Sequence, residues 1–174
     1  MKKILVVIDM QNDFITGTLP ADGGVEIVPR IVEKIKNGGY NKVLYTRDFH
    51  RKGTYHETLE GDLIPGHCFN GTEGVELVDE IYATRTYTGV EVYKETFGSF
   101  ELSDMIDYYS DEEDFEIELC GVCTDICVIS NALILRAAFP NTRIIVDSSC
   151  CAGSTKEAHE AALTVMKNCL IEVI

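Results

Sequence analysis

Long apolar runs and positive charge are both scarce in this sequence. No apolar run reaches the roughly 18–20 residues that a membrane span needs, so no transmembrane segment is expected. Lysine and arginine number 15 against 29 aspartate and glutamate residues, and the formal net charge is −14. Because no basic patch offsets that charge, nucleic acid is not an expected partner. Repeats, low-complexity tracts and a domain linker are also missing, so residues 1–174 are expected to form one domain.

Disulfide spacing is another feature that the sequence lacks. The seven cysteines are an odd number without the spacing of a small disulfide-rich domain, which favours reduced thiols and a cytoplasmic protein. The N-terminal segment starts with two lysines near a short apolar run, but Asp9 and Asn12 interrupt it too early for a signal peptide. We interpret this segment as the first strand.

Short apolar runs alternate along the chain with stretches of helical spacing. A continuous apolar run such as 4–8 is typical of a strand buried on both faces of a parallel sheet. The predicted strands are 4–8, 42–46, 91–96, 117–122, 143–146 and 170–174. Because helices are predicted between them, we expect an α/β fold, with a mostly parallel, roughly six-stranded sheet in a three-layer α/β/α arrangement.

Capping signals mark several of the intervening helices. The predicted helices are 25–37, 76–81, 100–109, 126–138 and one that ends near residue 167. Ser99 is predicted to cap the third of them, which an acidic turn follows at 110–114. Ser154 and Glu157 have capping-box spacing ahead of the last helix.

Residues 116–131, read EIELCGVCTDICVISN, predict a buried strand, a tight turn and a helix that begins near Ile126. Thr124 is predicted to cap this helix. Cys127 then lies in the first turn, where the positive end of the helix dipole favours a thiolate. Because open α/β sheets bind ligands at the carboxyl ends of their strands, Cys127 is a candidate nucleophile. The alternative is a small buried hydrophobic residue, the usual role of a free cysteine.

Two more charged side chains belong to the carboxyl ends of predicted strands. Asp9 can accept the thiol proton if partial desolvation raises its pKa, and Lys94 can stabilise the thiolate and the carboxylate together. The backbone N–H groups of Cys123 and Cys127 are candidates for an oxyanion hole. The alternatives are that Asp9 caps the following turn and that Lys94 is solvated.

A candidate metal site lies between the second and third strands. The set comprises Asp48, His50, Glu60 and His67. Two imidazoles with one or two carboxylates suit zinc, iron or manganese. The polar stretch 51–74 has no clear period, and a loop of that length inside a compact domain is usually functional. The alternative is a group of solvated loop residues, to which we assign His56 and His159.

Two pairs of cysteines offer different chemistry. Cys120 and Cys123 have the C-x-x-C spacing of a redox pair or of half a zinc site. Because Cys120 falls inside a predicted strand, a redox role is disfavoured. Cys150 and Cys151 are expected to be small buried residues, since adjacent cysteines chelate a metal poorly.

Six blocks of the chain, in order, carry a resemblance to a known family. They are VVIDMQNDF at 6–14, TRDFH at 46–50, PGHCFNGTEG at 65–74, KETFGSF at 94–100, GVCTDICV at 121–128 and CCAGSTKEAHEAAL at 150–163. On these blocks the chain resembles the isochorismatase-like cysteine hydrolases, and within them the nicotinamidase-type amidohydrolases. The resemblance covers essentially the whole chain.

The resemblance implies a catalytic triad of Asp9, Lys94 and Cys127 and hydrolysis of a small amide through a thioester. It also implies a cis peptide bond before Cys123, which brings that N–H group into the oxyanion hole. The implied ligands of a divalent metal, Zn or else Fe or Mn, are Asp48, His50 and His67, with Glu60 as a fourth ligand in some members. Family members assemble as dimers or tetramers, so a homo-oligomer is expected.

Two departures from the family pattern concern the substrate. Phe49 stands where nicotinamidases usually have tryptophan, and Ile126 replaces an aromatic residue before the cysteine. With Phe14, these residues are predicted to form the substrate pocket. Nicotinamide is the leading substrate, other small amides and N-carbamoyl compounds stay open, and the vinyl-ether hydrolysis of isochorismatase proper is disfavoured. A protein of another class, which binds a metal or acts as a thiol sensor without turnover, is the remaining alternative.

Overall fold

A six-stranded parallel sheet lies at the centre of the computed structural model, which describes residues 1–85, 89–111 and 114–174. The strands are β1 Lys2–Ile8, β2 Lys42–Asp48, β3 Val90–Lys94, β4 Phe115–Val122, β5 Arg143–Ala152 and β6 Glu172–Val173. Their order across the sheet is β3-β2-β1-β4-β5-β6, and each neighbouring pair is parallel. The predicted α/β fold is therefore confirmed.

Helices cover the sheet in two groups. They are α1 Asn12–Ile15, α2 Gly24–Asn37, α3 Leu59–Leu63, α4 Asp79–Tyr82, α5 Phe100–Ser110, α6 Ile129–Ala138 and α7 Lys156–Asn168. Helix α2 packs on β4, β5 and α4, whereas α5 and α7 both pack against α6. No helix of the described ranges is long and apolar enough to cross a membrane.

Strand β1 forms the middle of the core. Its residues Ile4, Leu5, Val6, Val7 and Ile8 are each at most 1% exposed. Because successive side chains of a strand point to opposite faces, burial of all five requires that both faces of the sheet be covered. The apolar run in the sequence thus predicted the three-layer arrangement correctly.

A glycine in β4 allows the two central strands to approach closely at the end where the polar residues lie. Gly121 pairs in register with Ile8 and has a φ of +119°. A Cβ atom at this position would lie 2.1 Å from the Ile8 carbonyl oxygen, so no other residue fits without moving the backbone. The strand order reverses between β1 and β4, and in open α/β sheets this point forms the ligand-binding crevice.

Two of the predicted caps differ from the structure. Thr124 is not an N-cap: it is the first residue of a single π-helical turn, Thr124–Val128, and its hydroxyl is hydrogen-bonded at 2.8 Å to Nδ1 of His159. The predicted capping box of Ser154 is also wrong, because the Ser154 hydroxyl donates to Asp125, and Thr155 caps α7 instead. The hydroxyl groups that the sequence pattern assigned to local caps instead make tertiary contacts.

The other predicted boundaries agree with the structure in part. Ser99 accepts the backbone N–H of Leu102 and caps α5 as predicted. Strand β5 continues to Ala152, well beyond the predicted 143–146. The predicted acidic turn 110–114 includes residues 112 and 113, which lie outside the described part of the chain.

Candidate active site

The carboxyl ends of four neighbouring strands carry the charged and nucleophilic side chains. Asp9 directly follows β1, and Asp48 and Lys94 are the last residues of β2 and β3, where they are register partners. Cys127 lies in the π-helical turn after β4. The parallel arrangement of the strands therefore brings these four side chains to one edge of the sheet.

The Lys94 ammonium lies at the centre of this group. Its Nζ atom is 2.6 Å from Asp9 Oδ2 and 3.6 Å from Cys127 Sγ. A third contact, of 3.3 Å, joins it to Asp48 Oδ1. The side chains of Lys94 and Asp9 are at most 1% exposed. The structure thus brings together the three side chains that the sequence predicted as a triad, in an environment nearly free of solvent.

Asp9 has an unusual backbone conformation for a non-glycine residue. Its φ is +48°, in the left-handed region. Such residues are held in place only where surrounding contacts enforce the conformation, and they cluster at functional sites. Here the Thr46 hydroxyl donates to Asp9 Oδ1 at 2.6 Å, and the Asp9 N–H contacts the Thr46 carbonyl oxygen at 3.3 Å. Thr46 therefore fixes the direction in which the carboxylate points.

Burial controls the protonation of the thiol. It raises the pKa of Cys127 well above its usual value, and Lys94 only partly opposes this effect. The expectation of a low-pKa thiolate is therefore wrong, because desolvation outweighs the helix dipole. Burial also raises the pKa of Asp9, with Lys94 acting in the opposite direction. A neutral thiol beside a carboxylate of raised pKa requires transfer of the proton before the sulfur can attack.

The four predicted metal ligands lie together next to the triad. Asp48 Oδ2 is 2.9 Å from His50 Nε2 and 3.0 Å from His67 Nε2. Glu60, on α3, places Oε1 3.5 Å from His67 Nε2. One ligand atom from each residue lies within 4.8 Å of all the others. The loop 51–74 folds so that the Cys68 carbonyl accepts the backbone N–H of His50, which brings the two imidazoles together.

The hydrogen bonding of this cluster fits a divalent cation. His67 Nδ1 lies 2.8 Å from the Pro65 carbonyl, which only accepts, so Nδ1 carries the proton. The other ring nitrogen, Nε2, therefore faces Asp48 Oδ2. Without an ion it donates a proton to the carboxylate, and this contact raises the pKa of His67 against the effect of burial, whereas a bound cation would take the Nε2 lone pair. Burial alone would raise the pKa of Asp48, but Lys94 and the hydrogen bonds with His50 and His67 hold it below its usual range. The carboxylate is therefore ionised, as a metal ligand must be.

A cavity of about 320 Å³ opens onto both clusters. Its walls are largely apolar and include Phe14, Phe97 and Ile126, and the polar groups of Cys127, Asp48, His67 and Glu60 also line it. A mostly apolar pocket with few polar groups is typical of a small-molecule site, and this volume is at the lower end of the usual range. The cavity therefore suits a small molecule.

Phe49 does not have its predicted place in this pocket. It directly follows β2 and does not line the cavity, and its ring packs edge-on against Tyr93 at a centroid distance of 5.6 Å. The lining contains Phe97 instead, which the sequence analysis missed although it belongs to the KETFGSF block. Thr46, which positions Asp9, was missed in the same way within the TRDFH block.

The remaining thiols are poorly suited to redox or metal chemistry. All seven cysteines are free. Cys120 is fully buried in β4 and its Sγ faces the Val6 carbonyl, and burial raises its pKa well above the usual value. Burial also raises the pKa of Cys123 to about 12. Among the described residues, the potential metal-binding group contains no cysteine, and Cys150 and Cys151 are buried as expected.

Several known proteins are similar to this chain. A family model described as Isochorismatase domain matches residues 3–174. An uncharacterized isochorismatase family protein PncA of Bacillus subtilis (strain 168) is 34% identical over 181 residues, covering 97% of this chain and 96% of that protein.

Two relatives with named activities are also similar over their full lengths. The nicotinamidase/pyrazinamidase of Mycobacterium tuberculosis is 26% identical over 190 residues, covering 99% of this chain and 98% of the relative. The crystal structure of a pyrazinamidase of Pyrococcus horikoshii in complex with zinc has a TM-score of 0.83 at 27% identity. The similarity covers 100% of this chain and 99% of that one.

Proposed function

Because the chain belongs to the isochorismatase family, we propose that it is a cysteine amidohydrolase that converts nicotinamide to nicotinate and ammonia. The observation that carries the proposal is the position of Lys94 Nζ, 2.6 Å from Asp9 Oδ2 and 3.6 Å from Cys127 Sγ, beside a small apolar cavity. A buried thiol, a general base and a fixed ammonium are the groups that acyl transfer from an amide requires.

The first half of the reaction forms a thioester. Asp9 takes the proton of Cys127, and the sulfur attacks the amide carbonyl carbon. The resulting oxyanion is stabilised by the backbone N–H groups of Cys123 and Cys127. When the C–N bond breaks, Asp9 returns the proton to the leaving nitrogen and ammonia is released. Lys94 neutralises the negative charge that Asp9 and Cys127 share throughout.

The second half releases the acid. Asp9 removes a proton from a water molecule, the resulting hydroxide attacks the thioester carbon, and the C–S bond breaks. The carboxylic acid leaves and Cys127 recovers its proton from Asp9. The raised pKa of Asp9 suits both roles, because a carboxylate that binds its proton more strongly can accept and return a proton in one cycle.

The four predicted metal ligands, called the metal set below, are assigned a role in substrate binding. Asp48, His50 and His67 would hold a divalent ion, with Glu60 as a fourth ligand. Zinc is the first choice, because the donor set suits it and the Pyrococcus horikoshii relative is in complex with it; iron and manganese are the alternatives. When bound, the ion supplies a coordination site that a ring nitrogen of the substrate can occupy. The cavity residues Phe14, Phe97 and Ile126 would cover the faces of that ring.

The test is ammonia release from a matched set of amides. Metal-free protein would be assayed with nicotinamide, with benzamide, which lacks the ring nitrogen, and with an N-carbamoyl amine, each with and without Zn²⁺, Fe²⁺ or Mn²⁺. The proposal predicts metal-dependent release from nicotinamide and much slower release from benzamide. Release only from the carbamoyl compound would reassign the substrate, and no release from any amide would contradict the enzymatic function. Homo-oligomerisation and cytoplasmic location stay predictions.

A further inference from the structure

Two side-chain amides, those of Gln11 and Asn131, are fully buried beside the candidate active site. Neither has a role in the chemistry described above, and neither was singled out from the sequence. Gln11 follows β1 and Asn131 lies in the first turn of α6. A carboxamide has two donor hydrogens and a carbonyl acceptor, so a buried one is stable only where several backbone groups face it.

Gln11 binds both backbone polar groups of Asp48. Its Nε2 donates to the Asp48 carbonyl at 2.8 Å, and its Oε1 accepts the Asp48 N–H at 2.7 Å. The second Nε2 hydrogen is donated to the Val75 carbonyl, also at 2.8 Å. The Gln11 side chain therefore fixes the peptide groups before and after Asp48, the residue whose carboxylate contacts both imidazoles.

Asn131 binds the other half of the site in the same manner. Its Nδ2 donates to the Cys127 carbonyl at 2.8 Å and to the Phe97 carbonyl at 3.1 Å. Its Oδ1 accepts the backbone N–H of Ser99 at 3.0 Å. The π-helical turn that carries the thiol is thus joined to the segment that leads from β3 to α5 and supplies a wall of the cavity.

We propose that Gln11 and Asn131 are positioning residues with separate tasks: Gln11 orients Asp48 for metal binding, and Asn131 orients Cys127 for attack. The division follows from the contacts, because Gln11 touches no part of the turn that holds Cys127 and Asn131 touches none of the metal set. This inference rests on the ligand and nucleophile assignments of the proposed function.

A purely structural role makes a different prediction. Each amide makes three buried hydrogen bonds, so the loss of either should lower stability by a similar amount. If stability were the only function, both substitutions would impair metal binding and thiol reactivity alike. If the tasks are separate, substitution of Gln11 should impair metal binding but not thiol reactivity, and substitution of Asn131 should do the reverse. Both properties can be measured without turnover.

The test compares Gln11→Met with Asn131→Leu, which replace each amide with an apolar side chain of similar length and remove the hydrogen bonds. The affinity for Zn²⁺ would be measured by competition with a chromophoric chelator. The rate of alkylation of Cys127 by iodoacetamide would be followed by peptide mass mapping. Gln11→Met should weaken Zn²⁺ binding about 10–100-fold, the usual effect of losing a residue that supports a metal ligand, and leave alkylation close to the wild-type rate. Asn131→Leu should lower the alkylation rate, because the thiol is no longer oriented for attack, and should leave Zn²⁺ affinity within about threefold of the wild-type value.

Each variant serves as the control of the other, with thermal unfolding as the common measure of stability. Gln11→Glu and Asn131→Asp, which keep the shape and the acceptor oxygen, would be used if the first pair does not fold. Equal losses of both properties in both variants, or failure of all four variants to fold, would overturn the proposal. Because Zn²⁺ affinity and alkylation are measured without substrate, these results stand even if nicotinamide is not hydrolysed.

Discussion

Lys94 Nζ lies 3.3 Å from Asp48 Oδ1, so one ammonium contacts both the base of the triad and a ligand of the candidate metal. Asp9 and Asp48 are both nearly inaccessible to solvent, and two buried carboxylates at such short range would repel each other strongly. Lys94 compensates this repulsion, and Asp9, Cys127 and Asp48 together raise its pKa well above the usual value although burial alone would lower it. These contacts therefore favour the charged form of Lys94 in the folded protein.

The first prediction concerns this lysine. Lys94→Met conserves most of the apolar stem but leaves two buried carboxylates without a counter-charge. Breaking a buried ion pair from one side costs about 3–5 kcal/mol, so the free energy of unfolding in urea should fall by that amount. Lys36→Met, on the exposed part of α2, is the control and should change stability by less than about 0.5 kcal/mol. Equal effects of the two substitutions would refute the assigned role of Lys94.

A second prediction concerns metal binding. A ligand that binds only the folded state raises the unfolding temperature, so Zn²⁺ should stabilise the wild-type protein. His67→Ala removes one of the two imidazoles and should abolish most of this shift. His56→Ala is the matched control, since His56 is an exposed residue of the same loop outside the ligand cluster, and it should retain the full shift. Differential scanning fluorimetry with and without a chelator gives the comparison, and an undiminished shift in His67→Ala would argue for another site.

The close approach of β1 and β4 leads to a third prediction. In Gly121→Ala the new Cβ meets the Ile8 backbone, and β1 must move away from β4 together with Asp9. Gly39→Ala also has a positive φ, of +69°, but its Cβ would meet nothing within 4 Å. Gly39→Ala should therefore lower the free energy of unfolding only by the conformational cost of a positive φ, about 1–2 kcal/mol. Gly121→Ala should cost about 1–3 kcal/mol more, from overpacking, as measured by urea unfolding, and equal costs would contradict the steric account.

A fourth prediction concerns stability in acid and uses a cluster remote from the site. Burial would raise the pKa of Asp147, but hydrogen bonds from Lys34 and Ser149 outweigh it and lower the pKa. A carboxyl whose pKa is lower in the folded state stabilises the protein above its unfolded pKa, near 4, and loses this effect as pH falls through the folded value. At pH 7, Asp147→Asn should therefore be about 1.5 kcal/mol less stable than wild type.

The pH dependence of the stability difference between wild type and Asp147→Asn tests whether the charge of Asp147 is the cause. Urea unfolding between pH 7 and pH 2 should show the gap between wild type and Asp147→Asn closing below about pH 4. Asp104→Asn, at an exposed position of α5, should follow the wild-type curve throughout. A gap that stays constant across this range would show that the charge of Asp147 does not contribute.

Local patterns in the sequence were sufficient for the order of the six strands and of five helices, and for the strand ends that carry Asp9 and Lys94. They missed the short helices α1 and α3. The apolar run at the start of the chain predicted a strand buried on both faces, and Asp9 was correctly placed at its end. What failed were the details that depend on distant partners. Thr124 and Ser154 look like caps in sequence, but His159 and Asp125, some thirty residues away, bind their hydroxyls.

Burial was the second property that the sequence could not supply. A cysteine near a helix start predicted a thiolate, whereas burial of Cys127 raises its pKa. Gln11 and Asn131 are ordinary polar residues in sequence, and only the fold shows that each faces three backbone groups. The long loop 51–74 likewise has no period, because its shape follows from tertiary contacts such as the pairing of His50 with Phe69.

The most direct test of the account is ammonia release from nicotinamide by wild type and Cys127→Ala under the same metal conditions. Cys169→Ala, which removes a half-buried thiol at the end of α7, is the matched control. We predict that Cys127→Ala folds with the wild-type unfolding profile and loses activity on the order of 1,000-fold or more, while Cys169→Ala keeps it. Turnover by Cys127→Ala at a rate near that of wild type would contradict the assignment of Cys127 as the nucleophile.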